Sequence, residues 1–433
     1  MTRTPPALVP AARRAAAGLT GWSVAALALA AVYANPYAFG DAVGVGVPDI
    51  GIPAAVLMPG FLALSATLLV WAVAIGLLGT ADGARAARAT WRRLVAAQAR
   101  TGWARAAAAL LAAGTAWAHV SLPTPAVATL EALAAGEAVV PYQYRALVPW
   151  TAGALDALTG RAVPLALLYG ALDAAAGVGV WLAVRRFLRP HVGAPGAEGD
   201  AARSVAALLA FVPLALGTAA PWRYNALFFP ADTLAVAAFA LGLALLQERR
   251  WRAYYVLFIV ATLNRETTCF LTIAWVLAGW GRVPLARAAG HVGAQLALWL
   301  GLKAGLATLY AGNPVLPNAG DGLFVLTAER TLLLALAVPA WAYLGLALGG
   351  AGLAAFLLRR RVQGTGLGRW LRVVPAFGLG MALVGEVLEV RIYAELTPLA
   401  VAVVCAAGAG IARDALGRDA PDGDVVPAAP PDR

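Results

Sequence analysis

Long apolar blocks, broken by short polar or arginine-rich stretches, run the length of this chain. Twelve stand out, at about 18–34, 53–79, 104–121, 163–187, 203–220, 226–247, 252–263, 267–280, 289–311, 331–358, 372–389 and 393–412. Crossing a hydrocarbon layer of about 30 Å takes roughly 20 residues of helix, which most of these blocks supply. Lipid admits only helices or closed barrels, because every backbone N–H and C=O must find its partner inside the protein. The ten-residue alternation of barrel strands is not visible. The pattern therefore predicts an all-α, polytopic transmembrane helical bundle of about twelve spans.

The stretch Trp251–Arg282, WRAYYVLFIVATLNRETTCFLTIAWVLAGWGR, departs most from that pattern. It is apolar almost throughout, yet Asn264, Arg265 and Glu266 sit at its centre and arginines flank both ends. One helix over its whole length would run roughly 45 Å, too long for the layer. Two short helices forming a hairpin, with Asn-Arg-Glu at the tip, fit better. An ionised group at membrane depth costs about 2.5–3.5 kcal/mol, so such groups pair or face a wet cavity. Either an Arg–Glu pair simply closes the hairpin, or the tip belongs to a polar site on one side of the membrane.

Basic residues orient the chain. With the amino terminus cytoplasmic, 26 of the 32 arginines fall on the cytoplasmic side. The other six are Arg145, Arg161, Arg223, Arg265, Arg330 and Arg391. Such a bias predicts both termini inside. Residues 80–103 form a basic amphipathic stretch, expected to be a surface helix on anionic headgroups. The expected organisation is a two-span module at 1–80, a cytoplasmic linker at 81–103 and a ten-span core at 104–412. That core carries the external loop 122–162, apolar enough for short surface helices. The Pro- and Asp-rich tail 413–433 is too poor in apolar residues to fold. Arg13 and Arg14 before an apolar run ending Val-Tyr-Ala also have the form of a signal peptide, but the charge alternation favours a retained first span.

Composition narrows the class. A chain 61% hydrophobic and 13% charged, with mean hydropathy +0.75, has the make-up of a membrane protein. The net charge of +11 then reflects arginines beside the spans, meeting anionic lipid, and no nucleic-acid partner is expected. Cys269 and Cys405 lie in apolar blocks and read as small core residues. His119, His191 and His291 are scattered, without zinc-site spacing. No acidic cluster demands a divalent metal, and no tightly bound cofactor is expected.

The remaining ionisable groups crowd the outer ends of the spans. Tyr144 and Arg145 lie between Pro141 and Pro149, and Arg223 lies in PWRYN. Asp232 opens a helix at FFPAD, where the amino-terminal dipole favours negative charge. Lys303, Glu386, Glu389, Arg391 and Glu395 complete the set. Asp173 alone lies deep in a span, either hydrogen-bonded structurally or lining a cavity. A carboxylate beside arginines in a lipid-bordered cleft can take a hydroxyl proton while guanidinium groups hold a phosphate. A polyprenyl-phosphate sugar combines long lipid, anionic link and transferable sugar.

The external loop, ending in PYQYRALVPW at Pro141–Trp150, resembles that of the GT-C superfamily of membrane glycosyltransferases, and this segment is similar to the loop end of GPI mannosyltransferases. FFPAD (228–232), LNRET (263–267) and EVRIYAELTP (389–398) are similar to motifs in a set of uncharacterised bacterial membrane proteins. The resemblance covers roughly 104–412. It implies a GT-C-like protein of the bacterial inner membrane that moves a sugar from a polyprenyl-phosphate donor to a lipid, glycan or protein acceptor. Transfer would invert the anomeric centre on the periplasmic or extracellular side. The resemblance puts the base in the first external loop, at Glu131 or Glu137; Asp232 or Glu266 are the other candidates. Arg265, Arg391 or Lys303 would neutralise the departing phosphate, with Arg145, Tyr144, Arg223, Asn264, Glu389 and Glu395 around it.

Two other readings stay open. Broken helices with buried charge also mark transporters and lipid flippases. Crowding of charge at one face and the lack of a match between halves favour transfer. A scaffold whose charged turns bind a partner is the third.

Overall fold

A computed structural model describes residues 9–34, 54–220, 226–315, 344–345, 347–384 and 389–417. Their regular elements are helices, joined by one isolated bridge between Val140 and Val315. Helices α1 (Pro10–Ala34) and α2 (Ala54–Leu78) pack along each other, with the Ser23 hydroxyl donating to the Ser65 carbonyl at 2.8 Å. The basic stretch forms α3 (Ala81–Thr101), opened by a Thr80 side-chain cap and closed by Gly102 in the left-handed conformation. After α4 (Trp103–Val120), the loop carries two short helices, α5 (Leu130–Ala135) and α6 (Leu147–Leu158). Next come α7 (Leu165–Phe187), α8 (Ala197–Ala219), α9 (Asp232–Gln247), α10 (Trp251–Asn264), α11 (Cys269–Gly279) and α12 (Leu285–Leu309). The chain closes with α13 (Ala351–Leu358), α14 (Gly366–Trp370), α15 (Val373–Val384) and α16 (Thr397–Gly417).

Among the described residues, five helical segments are long and apolar enough to cross a membrane: Met58–Leu78, Leu165–Phe187, Ala197–Ala219, Leu285–Leu309 and Val390–Gly417. Apolar helices of this kind mark a membrane-embedded protein. The expected span 226–247 forms a helix of only 16 residues (α9), and the two short hairpin helices expected around Asn264–Glu266 run 14 and 11 residues (α10 and α11). Each of these three is shorter than the roughly 20 residues a full crossing needs; α15 ends at Val384, next to residues outside the described ones. Two local causes are visible. Residues 226–229 are not helical, so α9 starts only at Asp232, and Arg265 is extended (φ −160°, ψ 139°), separating α10 from α11. Of the expected span 331–358, only 344–345 and 347–358 lie among the described residues.

At the open end of the hairpin the Trp251 ring meets the Trp275 ring edge-on at 5.2 Å. Helix α12 joins both arms: His291 stacks on Trp251 at 4.0 Å, and Gln295 Oε1 accepts from the Tyr254 and Thr272 hydroxyls at 2.7 and 2.6 Å. The tip, the start of α9 and the end of α4 thus lie at one end of the bundle. The opposite end carries the Arg186–Glu248 pair at 2.5 Å and the arginine-rich turns.

The first two helices share one apolar core with the rest, in which Leu19 and Leu68 join Phe187, Phe258 and Val403. Trp71 Nε1 donates to the Gly349 carbonyl at 3.3 Å, and the Leu357 side chain lies 3.2 Å from where a Cβ on Gly18 would stand. At the other terminus α16 continues past Arg413 to Gly417, where Arg361 holds Asp414; residues 418–433 lie outside the described residues.

Candidate functional site

Asp232 is the hub of an ionic cluster formed by segments far apart in sequence. As the first residue of α9 it sits where N–H groups lack helical partners. Its Oδ1 accepts from Arg265 at 3.1 Å and from Arg391 at 3.0 Å, and its Oδ2 accepts from Arg391 at 3.1 Å. The residues are only 1–3% exposed, so the charges are neutralised by one another rather than by water. Arg391 comes from the 3₁₀ turn Val390–Leu396, bonds Glu389 at 2.7 Å and lies 3.5 Å over the Phe229 ring. In the same turn Glu395 accepts from the Thr267 hydroxyl at 2.5 Å, with Arg265 Nε at 3.6 Å. The tip is held in register because Asn264 Nδ2 donates to the Ala231 carbonyl at 2.9 Å.

A second group lies beside this hub and is less enclosed. The Glu266 side chain is 38% exposed, and its Oε1 stands 3.5 Å from Arg145. Trp299 of α12 fixes the Glu266 backbone by donating to its carbonyl at 2.9 Å. Arg145 keeps Nε and Nη1 buried without hydrogen-bond partners. Lys303 is 9% exposed and projects over the Tyr144 ring, with Nζ 4.8 Å from its centroid. A narrow cleft reaches Arg145 between the surface helices and the start of α9, lined also by Pro125, Tyr142, Phe228, Phe229 and Ala231. Tyr142 and Phe229 stack there at 5.9 Å.

A separate pair lies between α4 and α7, where His119 Nδ1 is 3.2 Å from Asp173 Oδ2, both side chains almost wholly buried. The Phe228 ring meets His119 edge-on at 4.6 Å. This contact gives Asp173 the structural partner that was one of its two expected roles.

The predicted residues divide cleanly. Tyr144, Arg145, Asp232, Asn264, Arg265, Glu266, Lys303, Glu389, Arg391 and Glu395 come together. Glu131 and Glu137 do not: both are exposed, and neither makes an ion pair with the cluster. The reason for Glu131 is its place in the first turn of α5, whose inward side is taken by Leu130 and Leu133. Arg223 and Glu386 lie outside the described residues. Sequence reasoning missed His119, Thr267, Phe229 and Trp299. Thr267 and Phe229 carried a signal, as members of LNRET and FFPAD. Among the described residues, no three His, Cys, Asp or Glu side chains converge as a metal site.

The fold and this cluster together define a helical, membrane-embedded protein with a buried ionic site at one end of its bundle. No protein-family model, curated protein or solved structure matches the chain.

Proposed function

We propose that this protein is a GT-C-like membrane glycosyltransferase. It would take a sugar from a polyprenyl-phosphate donor and pass it to a lipid, glycan or protein acceptor. The observation that carries the reading is a pair of cations: Arg145, whose Nε and Nη1 have no hydrogen-bond partner among the described residues, and Lys303, whose ammonium lies over the Tyr144 ring. They flank one partly exposed carboxylate, Glu266, which is the pairing that phosphate binding and proton abstraction require.

The carboxylates take different roles on this reading. Asp232 has both oxygens tied to two guanidinium groups and acts as an anchor for Arg265 and Arg391. Glu266 has one loose partner and is the base. It takes the acceptor's hydroxyl proton, the acceptor oxygen bonds to the anomeric carbon, and the bond from that carbon to the phosphate oxygen breaks. Arg145 and Lys303 neutralise the departing phosphate. Displacement in one step inverts the anomeric centre. The finer arrangement belongs to the same proposal: twelve spans, both termini cytoplasmic, bacterial inner membrane, site facing outward.

The test uses the full chain in lipid, supplied with a polyprenyl-phosphate sugar and envelope acceptors. Mass spectrometry should find a glycosylated product, and Glu266→Gln should cut its rate about a hundredfold or more while the protein stays folded. Movement of labelled lipid between leaflets with no new covalent product would replace this reading by a flippase.

A further inference from the structure

We propose that the exposed face of α3 is a docking surface for anionic phospholipid headgroups, at the end of the bundle opposite the Asp232 cluster. Gly79 and Thr80 alone join α3 to the apolar segment ending at Leu78, and Gly102 alone joins it to α4. The helix therefore cannot leave the level at which those helices end. Its inner side is fixed: Val95 packs on Ala201 and Ala202 of α8, and Gln98 Oε1 accepts the Ala104 N–H at 2.6 Å.

What remains outside is chemically uneven. Arg85 is paired with Asp82 at 2.6 Å, but Arg88, Arg92, Arg93 and Arg100 are exposed, and among the described residues none has a carboxylate partner. Trp91 and Leu94 stand among them, 37% and 39% exposed. Four unneutralised guanidinium groups call for anions, and the indole and leucine suit the boundary between headgroup and acyl chain. Phosphatidylglycerol supplies both, a phosphate beside an apolar chain. Soluble phosphate supplies only the first, and an acidic protein would meet the arginines without a layer for the indole to enter.

The experiment titrates phosphatidylglycerol and phosphatidylcholine into the full chain in neutral detergent and counts retained lipid by native mass spectrometry. Phosphatidylglycerol should bind preferentially, more weakly at high salt, and each arginine removed should weaken it roughly fivefold. The variant R88Q/R92Q/R93Q/R100Q should lose the preference, and R88K/R92K/R93K/R100K, which keeps the charges, should retain it. Trp91→Ala should weaken lipid binding without touching the preference between headgroups. Equal phosphatidylglycerol binding by the glutamine variant and the unaltered protein overturns the proposal. Displacement of the lipid by an equal concentration of inorganic phosphate or polyglutamate also overturns it, the first assigning a free-anion site and the second an acidic protein.

Discussion

Asp232 binds two buried arginines whose other carboxylate contacts among the described residues are to Glu389 and, at longer range, Glu395. Removing one member of a buried ionic set leaves its partners charged and dry, at a cost of about 3–5 kcal/mol. Asp232→Asn should therefore lower the unfolding midpoint strongly in detergent. Glu266→Gln, at a side chain 38% exposed, should leave it nearly unchanged. The reverse ranking would remove Asp232 from the centre of the site. Arg391→Lys should also fail to restore stability, because a single ammonium cannot bridge Asp232 and Glu389 while lying flat over Phe229. The motifs FFPAD, LNRET and EVRIYAELTP mark the anchors in sequence, since a charge inside an apolar block is conspicuous. What those motifs pair with was not legible: Phe229 and Thr267 lie inside them, but nothing in sequence sets Arg391 over the one or Glu395 beside the other.

Helix spacing decides whether those partners meet. A Cβ on Gly177 of α7 would stand 2.9 Å from the Ala112 Cβ and 3.3 Å from its Cα on α4, so the two helices touch through the missing side chain. The same two helices carry Asp173 and His119. Gly177→Val should push them apart and cost about 1–3 kcal/mol, and Ala112→Gly in the same chain should recover part of it, both read as shifts in thermal unfolding. Apolar periodicity announces that α4 and α7 exist but not that they approach this closely. Nor does it pair His119, at the end of α4, with Asp173, more than two turns inside α7. That match depends on how far α7 rises beyond the end of its neighbour, which the surface loop sets.

Across the described residues the charges separate into two ends with different chemistry. At the arginine-rich end Arg186 donates to Glu248 at 2.9 and 2.5 Å, with Arg189 at 3.3 Å. The hydrogen bond from Arg186, helped by the nearby arginine charges, holds the Glu248 carboxyl below its usual 4.5. A carboxyl lowered by folding adds stability above its unfolded pKa and loses it as pH falls through the folded value. Acidification should therefore destabilise the protein more than it destabilises Glu248→Gln, compared by unfolding midpoints across the carboxylate range.

Sequence alone determined the class: helices, membrane, a hairpin broken at Asn264–Glu266, and an amphipathic basic helix between the second and third apolar blocks. Each of these follows from forces acting within one segment, namely backbone satisfaction in lipid, apolar block length and the cost of isolated charge. Tertiary structure decided what those segments do for one another. It started α9 only at Asp232, joined α1 and α2 to the common core, left Glu131 and Glu137 on the surface and brought Asp232 between Arg265 and Arg391. The physical reason is that ion pairing depends on distances of 3 to 4 Å between residues up to 159 positions apart, and no local pattern encodes such a distance.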